Sequence, residues 1–504
     1  MKTKYFSVLS IIAVSMLFSA CEKDENTPKV EPIAKADKIN TFIWSGMHDY
    51  YLWVDKVPAL TNSYYLSNED SLNKFLNRYS DKEELFYDLL YDYNKTDKWS
   101  WIVDDYEELE KELEGITKSM GYNFMLARYG TGDKVLGYVR YVVKGAPADL
   151  AGVKRGDIFI EVNNQQLTTS NYLELLINSE TYKLSFANAA NGTLTMNGKT
   201  ANLTAVEVTE NPIYLDTVYT VNNTKIGYLV YNSFVSTYDK ELNNIMLNFK
   251  NQGISKLVLD FRYNGGGSVQ SAVYLASMIH GTYTDKTFLK TEYNDLVQDY
   301  LKKTYGSEYF NLPFESDIVD EKNVKTPIHS LNLSDVYIIT SDNTASASES
   351  VINGLKPYIN VVTVGTATYG KYVGSITIKD LDNNGNVNPN HKWAMQPIVL
   401  KIANSQGISD YVKGFTPDYE LDEDITNLSV LGDLNEPLLN ETISVITGSG
   451  KKSARSSQKL AAEKIGKSYE YHHKTGMFYN GHNLKLNGLQ NDMMIIPTGR
   501  NESA

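Results

Sequence analysis

The chain has 504 residues, 42% of them hydrophobic and 22% charged, and a formal net charge of −13 at pH 7. That length exceeds one ordinary core and points to about three domains. The acidic balance argues against a nucleic-acid partner, which would ask for a basic face, and says little about any other ligand.

The N-terminus reads as an export signal: Lys2 and Lys4 precede an apolar run from Tyr5 to Phe18, short for a membrane span, that ends at "LFSAC". A signal that stops at a lone cysteine is similar to a bacterial lipoprotein signal, which implies cleavage after residue 20 and a lipid on Cys21. The acidic "EKDE" that follows resembles the surface-export signal of Bacteroidetes lipoproteins. The expected location is the cell envelope, lipid-anchored to the outer membrane and either periplasmic or surface-exposed. With Cys21 lipidated, the chain has no internal disulfide and no thiol nucleophile. Residues 21–37 are polar, hold Pro28 and Pro32, and read as a linker.

From 38 to 117 the pattern is helical: Ile39, Ile43, Met47 and Tyr50 recur at helical spacing, and "SLNKFLNRY" and "EELFYDLLYDY" continue it. Its aromatics read as core. From 118 to 209 short strands take over, with "GAPADLAGVKRGDIFIEVNNQQL" among them. Pro147 suits a first helical turn, Gly152 a helix C-cap, and Gly156-Asp157 a turn into a strand. This order resembles a PDZ domain, which takes a peptide as an added strand and its carboxylate on backbone N–H groups. The resemblance assigns that loop to "MGYNF", with Gly121, Tyr122, Asn123 and Phe124 binding the peptide. A brace or gate is the alternative use of such a fold.

Residues 210–447 read as an α/β unit. "KIGYLVYNSF" is a strand, "YDKELNNIMLNFKNQG" a helix, and "KLVLDF" a buried strand, which makes a β-α-β unit and a parallel sheet. "RYNGGGSVQSAVYLASMI" is a glycine turn opening a helix, and it lacks the lysine of a phosphate loop. Residues 280–330 are polar and tyrosine-rich without strong periodicity, and read as an insertion beside the sheet. "DVYIIT" then leads into "SDNTASASES" and a further helix. Ser346 sits at that helix start, where free N–H groups and the helix dipole favour negative charge, so it is a candidate nucleophile. Ser346 and Glu349 equally fit the S-x-x-E capping box, which does no chemistry. Lys371, 25 residues on, follows the strand "VVTVGT" and falls at a neighbouring strand-end loop, where active sites of parallel sheets collect. "YVGSITIKDLDNNGN" and "KWAMQPIVLKIAN" read as a hairpin around "NNGN".

"TASASES" followed by "TYGK", with "LVLDFRYNGGG" and "GFTPDYEL" in the same order, resembles the C-terminal processing proteases of peptidase family S41, in the subgroup of Bacteroidetes-type lipoproteins. The resemblance covers about residues 40 to 440. It implies an α+β and α/β multidomain protein: an N-terminal helical cap, a PDZ-like β domain and a ClpP/crotonase-like α/β protease domain. It implies a serine peptidase in which Ser346 attacks, Lys371 is the base, and Ala347 with Gly266 or Gly267 forms an oxyanion hole. A free lysine has a pKa of about 10.4, and burial lowers it by several units. Glu349 is expected to hold the turn. Relatives commonly carry a glutamine four residues after the lysine, where this chain has Ser375, and a proline where it has Gly265. Protein or peptide substrates with unstructured tails are the expected partners, and no metal or organic cofactor is implied.

Beyond residue 447 the chain turns basic and mixed, outside the resemblance; His472, His473 and His482 show no metal-ligand spacing and read as solvated. Two other classes stay open: a catalytically silent PDZ-containing peptide-binding lipoprotein, and a surface glycan-binding lipoprotein suggested by 37 tyrosines and the anchor.

Overall fold

The computed structural model describes residues 33–448, except 191, 321 and 383, together with 462–467. A six-stranded sheet organises the larger α/β unit, in the order Ile213–Val221, Thr224–Tyr231, Lys256–Asp260, Asp335–Thr340, Asn360–Gly365 and Tyr419–Glu420. The first pair is antiparallel and the others are parallel. Its central strands are apolar on both faces because both are covered. The helices Asp239–Gln252, Val269–Ile279 and Ala347–Leu355 lie within or against one apolar cluster, and Pro437–Ile446 packs through Leu438, Leu439 and Ile443 against Tyr228, Val258 and Ile339 of the sheet. The helix Asp239–Gln252 stops at Gly253, whose φ of 70° terminates it without a Cβ penalty.

The N-terminal helices share their core with the sheet. Phe42, Ile43, Trp44 and Met47 of the helix Lys38–Tyr50 belong to the same buried cluster as Leu257, Leu259 and Ile338. The cap is therefore part of the α/β body. Its helical pattern is interrupted by a strand, Trp101–Val103, fully buried and paired with Ala394–Gln396. The β domain has its own core, built on Phe124, Leu126, Phe159, Phe186 and Leu203.

Two expectations from the sequence need correcting, and a third, the hairpin, holds in divided form. The segment Met120–Phe124 is not all loop: Gly121, at φ 72°, completes the turn, and the strand already runs from Tyr122 to Tyr129. Residues 280–330 are not irregular: they include the strand Thr287–Tyr293, which pairs with Ile398–Asn404, and the helix Asp295–Tyr305. The alternating burial of Leu289, Thr291 and Tyr293 is a strand signal hidden among polar residues. The hairpin around "NNGN" is split between two sheets, since Ile378–Lys379 pairs with Ala394–Gln396 while Val373–Ser375 pairs with Ile398–Asn404.

Candidate active site

Two turns at the strand ends of the six-stranded sheet are stapled together. Thr344 Oγ1 donates to Phe261 O at 2.8 Å, Ala345 N to Asn264 O at 3.1 Å, and Ser348 Oγ to the same carbonyl at 3.2 Å. Ser341 Oγ hydrogen-bonds Arg262 O. The asparagine of the "RYNGGG" turn is itself fixed, donating through Nδ2 to Tyr231 O at 2.8 Å. Ser346 emerges from this frame at φ 65° and ψ −115°, a conformation that costs a non-glycine residue about 1–3 kcal/mol and persists only when the surroundings impose it.

Ser346 and Glu349 take up the capping-box arrangement, but the half that meets full hydrogen-bond geometry is Ser346 N donating to Glu349 Oε2 at 2.9 Å. The Ser346 hydroxyl is buried and has no hydrogen-bond partner of that quality. Glu349 does far more than cap. Its Oε2 also accepts from Lys371 N at 2.8 Å, and its Oε1 from Gly370 N at 2.7 Å and Thr368 Oγ1 at 2.6 Å. One carboxylate thus holds the serine turn and the lysine loop on the same atom. Burial pushes its pKa up to about 7, against the pull of the four donors.

Gly266 faces the serine. A Cβ there would lie 2.6 Å from Ser346 Cβ and 3.0 Å from Ala347 N, and its φ is +106°. Its N–H donates to Asn264 Oδ1 at 2.9 Å, so of the two glycines considered for an oxyanion hole it is the engaged one. At Gly267, φ +132°, a Cβ would fall 2.3 Å from Phe234 O. Ala347 is the first residue of the helix behind Ser346, where N–H groups lack intrahelical partners.

Lys371 is 3% exposed and its Nζ lies 5.9 Å from the Trp99 ring centroid. Trp99 comes from the N-terminal cap, and nothing in its local sequence marks it. Ser375 is buried on the strand Val373–Ser375. Ser346 itself is 0% exposed, so no carbonyl reaches its hydroxyl without a movement of the surrounding chain.

Gly121, Tyr122, Asn123 and Phe124 line a cavity of about 480 Å³ that reaches Asn232 and Gly265. From this wall a polar chain runs to the serine turn. Asn123 Oδ1 accepts from Arg140 Nε at 2.6 Å, and Arg140 Nη1 donates to Asn343 Oδ1 at 3.0 Å. A second link is ionic: Arg155 of the β domain and Arg262 of the six-stranded sheet both bind Glu423 Oε1, at 2.7 and 3.0 Å, while Arg262 also pairs with Asp260 and Glu436. Burial would raise the Glu423 carboxyl, but the two guanidinium groups outweigh it and hold its pKa at about 2. The sequence pattern gave no sign of Arg140, Arg155 or Glu423, whose partners lie far along the chain.

Among the described residues no group of three His, Cys, Asp or Glu side chains is placed to hold a metal, and no helix is long and apolar enough to cross a membrane. Cys21, His472, His473 and His482 lie outside the described residues.

Residues 225–421 match peptidase family S41, residues 38–101 the S41 N-terminal domain, and residues 138–183 a PDZ domain. The chain belongs to the S41 peptidases, with the family's N-terminal domain and a PDZ domain ahead of the peptidase domain. Carboxy-terminal processing protease CtpA of Bacillus subtilis is 25% identical over 280 residues, 55% of this chain and 53% of its own. A protein assigned as a CtpA-like serine protease in Staphylococcus aureus is 24% identical over 280 residues, 56% of this chain and 49% of its own. The chain thus spans about half the length of the curated relatives it matches. A crystal structure assigned as an S41 protease from Bacteroides fragilis superposes with a TM-score of 0.62 at 25% identity, covering 81% of this chain and 98% of that one.

Proposed function

We propose that the chain is a serine endopeptidase that cleaves protein or peptide substrates through an acyl-enzyme, with Ser346 as nucleophile and Lys371 as general base. The observation that carries this is Glu349 Oε2, which accepts from the backbone of both residues and so holds the two loops within two hydrogen bonds of each other. Neutral Lys371 takes the Ser346 proton as Oγ attacks the substrate carbonyl; the Ala347 and Gly267 N–H groups face the developing oxyanion. The proton then passes to the leaving amine, the C–N bond breaks, and water hydrolyses the ester. Lys371 is buried, with its Nζ 5.9 Å from the Trp99 ring centroid and away from bulk water. Ser375, at the position of the relatives' glutamine, is assigned to orienting the lysine.

The PDZ domain is proposed to read substrate tails and to gate the site. The enclosed Ser346 hydroxyl and the Asn123–Arg140–Asn343 chain favour gating over simple delivery. The lipid anchor at Cys21, with a place in the cell envelope at the outer membrane, remains part of this proposal, tested by loss of membrane association in Cys21→Ala.

The test is incubation of the chain lacking residues 1–21 with casein, beside Ser346→Ala and Lys371→Ala. Fragments from the wild type alone support the dyad, and equal cleavage by all three rejects it. Absence of cleavage even after adding peptides with free apolar C-termini would favour the silent peptide binder.

A further inference from the structure

The strand Ala462–Lys467 lies well beyond the peptidase domain in sequence, yet it pairs antiparallel with Tyr122–Tyr129 of the PDZ domain. Ala462 stands opposite Tyr129, Lys464 opposite Ala127 and Lys467 opposite Met125. The other side of Tyr122–Tyr129 is taken by its hairpin partner Val135–Val142, so the late strand fills the remaining edge. A PDZ domain offers such an edge to a peptide. The direction agrees, because the C-terminal end of the added strand points to the Met120–Gly121 turn.

Its side chains are also seated. Ile465 packs against the core cluster that contains Phe124, Leu126 and Leu176. Glu463 forms an ion pair with Arg128. Lys464 Nζ lies 3.3 Å from Asp342 Oδ2, in the turn that carries Ser346. Both ion pairs are half-exposed and add little binding energy, so backbone pairing and Ile465 supply the affinity while the charges fix register.

We propose that residues 462–467 are a tethered ligand of this chain's own PDZ edge, strapping it to the serine turn through Lys464 and Asp342. The edge takes an internal strand with an acidic, a basic and an aliphatic residue in succession. The inference rests on the peptide-binding reading of the PDZ domain. A ligand carried on the same chain acts at an effective concentration on the order of mM, so a free peptide of similar intrinsic affinity competes poorly until the strap is released.

Hydrogen–deuterium exchange of residues 125–129 in the same purified protein tests this, together with binding of a labelled synthetic peptide of residues 459–470. In Ile465→Asp, exchange over 125–129 should rise roughly tenfold or more as the edge opens, and the peptide should bind roughly tenfold tighter than to wild type, restoring protection. Glu463→Arg should loosen the strand, and Arg128→Glu added to it should restore protection, which guards against a simple folding defect. Equal exchange in wild type and Ile465→Asp, or equal peptide binding, overturns the tethered ligand. If peptides with apolar C-termini protect 125–129 equally in wild type and variant, the PDZ reading survives and only the tether fails. If no peptide protects the opened edge, the PDZ reading fails with it. Neither readout depends on hydrolysis.

Discussion

Two glutamates, Glu349 buried and Glu423 partly buried, hold this molecule together in opposite electrostatic regimes. Glu349 is surrounded by neutral donors, three backbone N–H groups and one hydroxyl, and burial wins: its pKa rises to about 7. Glu423 lies between two guanidinium groups, and the charges win: its pKa falls to about 2. Neutral donors fix geometry without repaying the desolvation of a charge, whereas paired arginines do both. The serine turn is thus positioned at some cost in stability, while the joint between the PDZ and peptidase domains is where ionic energy is invested.

The comparison breaks first at Arg262. Its removal in Arg262→Ala leaves Asp260, Glu436 and Glu423 without their shared cation and should cost about 3–5 kcal/mol of unfolding free energy, measured by urea denaturation. A loss below about 1 kcal/mol would mean that the cluster is not the joint described here.

Glu349→Gln should cost less, about 2 kcal/mol, because the amide group meets N–H donors and leaves some unpaired. Its effect on casein hydrolysis should be larger, a fall of roughly 100-fold, since serine and lysine lose their common anchor. The same variant sharpens the pH contrast. The Glu349 carboxyl is raised from 4.5 to about 7, so its contribution is present below pH 4.5 and lost as pH rises through 7. The wild-type stability relative to Glu349→Gln should therefore fall across that window. Glu423, depressed from 4.5 to about 2, has the opposite sign: its contribution is present above pH 4.5 and lost as pH falls through 2.

The smallest change in atoms is Gly266→Ala. One methyl, 2.6 Å from Ser346 Cβ at a φ of +106°, should displace the serine and lower hydrolysis roughly 100-fold while leaving the ionic joint intact. Unchanged hydrolysis would place the reacting carbonyl elsewhere.

Much of this was readable from local pattern. The β-α-β unit, the glycine turn, the strand–turn–helix at Ser346 and the spacing to Lys371 depend on residues close in sequence, so hydrophobic period and turn chemistry expose them. The S-x-x-E motif announced Glu349 as a cap, but its other partners, Thr368, Gly370 and Lys371, arrive only when the next strand returns. Trp99, Arg140 and Arg155 belong to other domains and carry no mark of the residues they meet. The strand "AEKIGK" has two lysines, a glycine and one aliphatic residue, too little for a strand by propensity; an unfilled sheet edge makes it one.

The most direct test of the Ser346–Lys371 assignment is covalent capture. The protein is treated with a peptidyl fluorophosphonate and examined by intact and tandem mass spectrometry. The dyad predicts a single adduct on Ser346, lost in Ser346→Ala and strongly slowed in Lys371→Ala. An adduct on another residue, or labelling of Ser346 at an unchanged rate in Lys371→Ala, would contradict it.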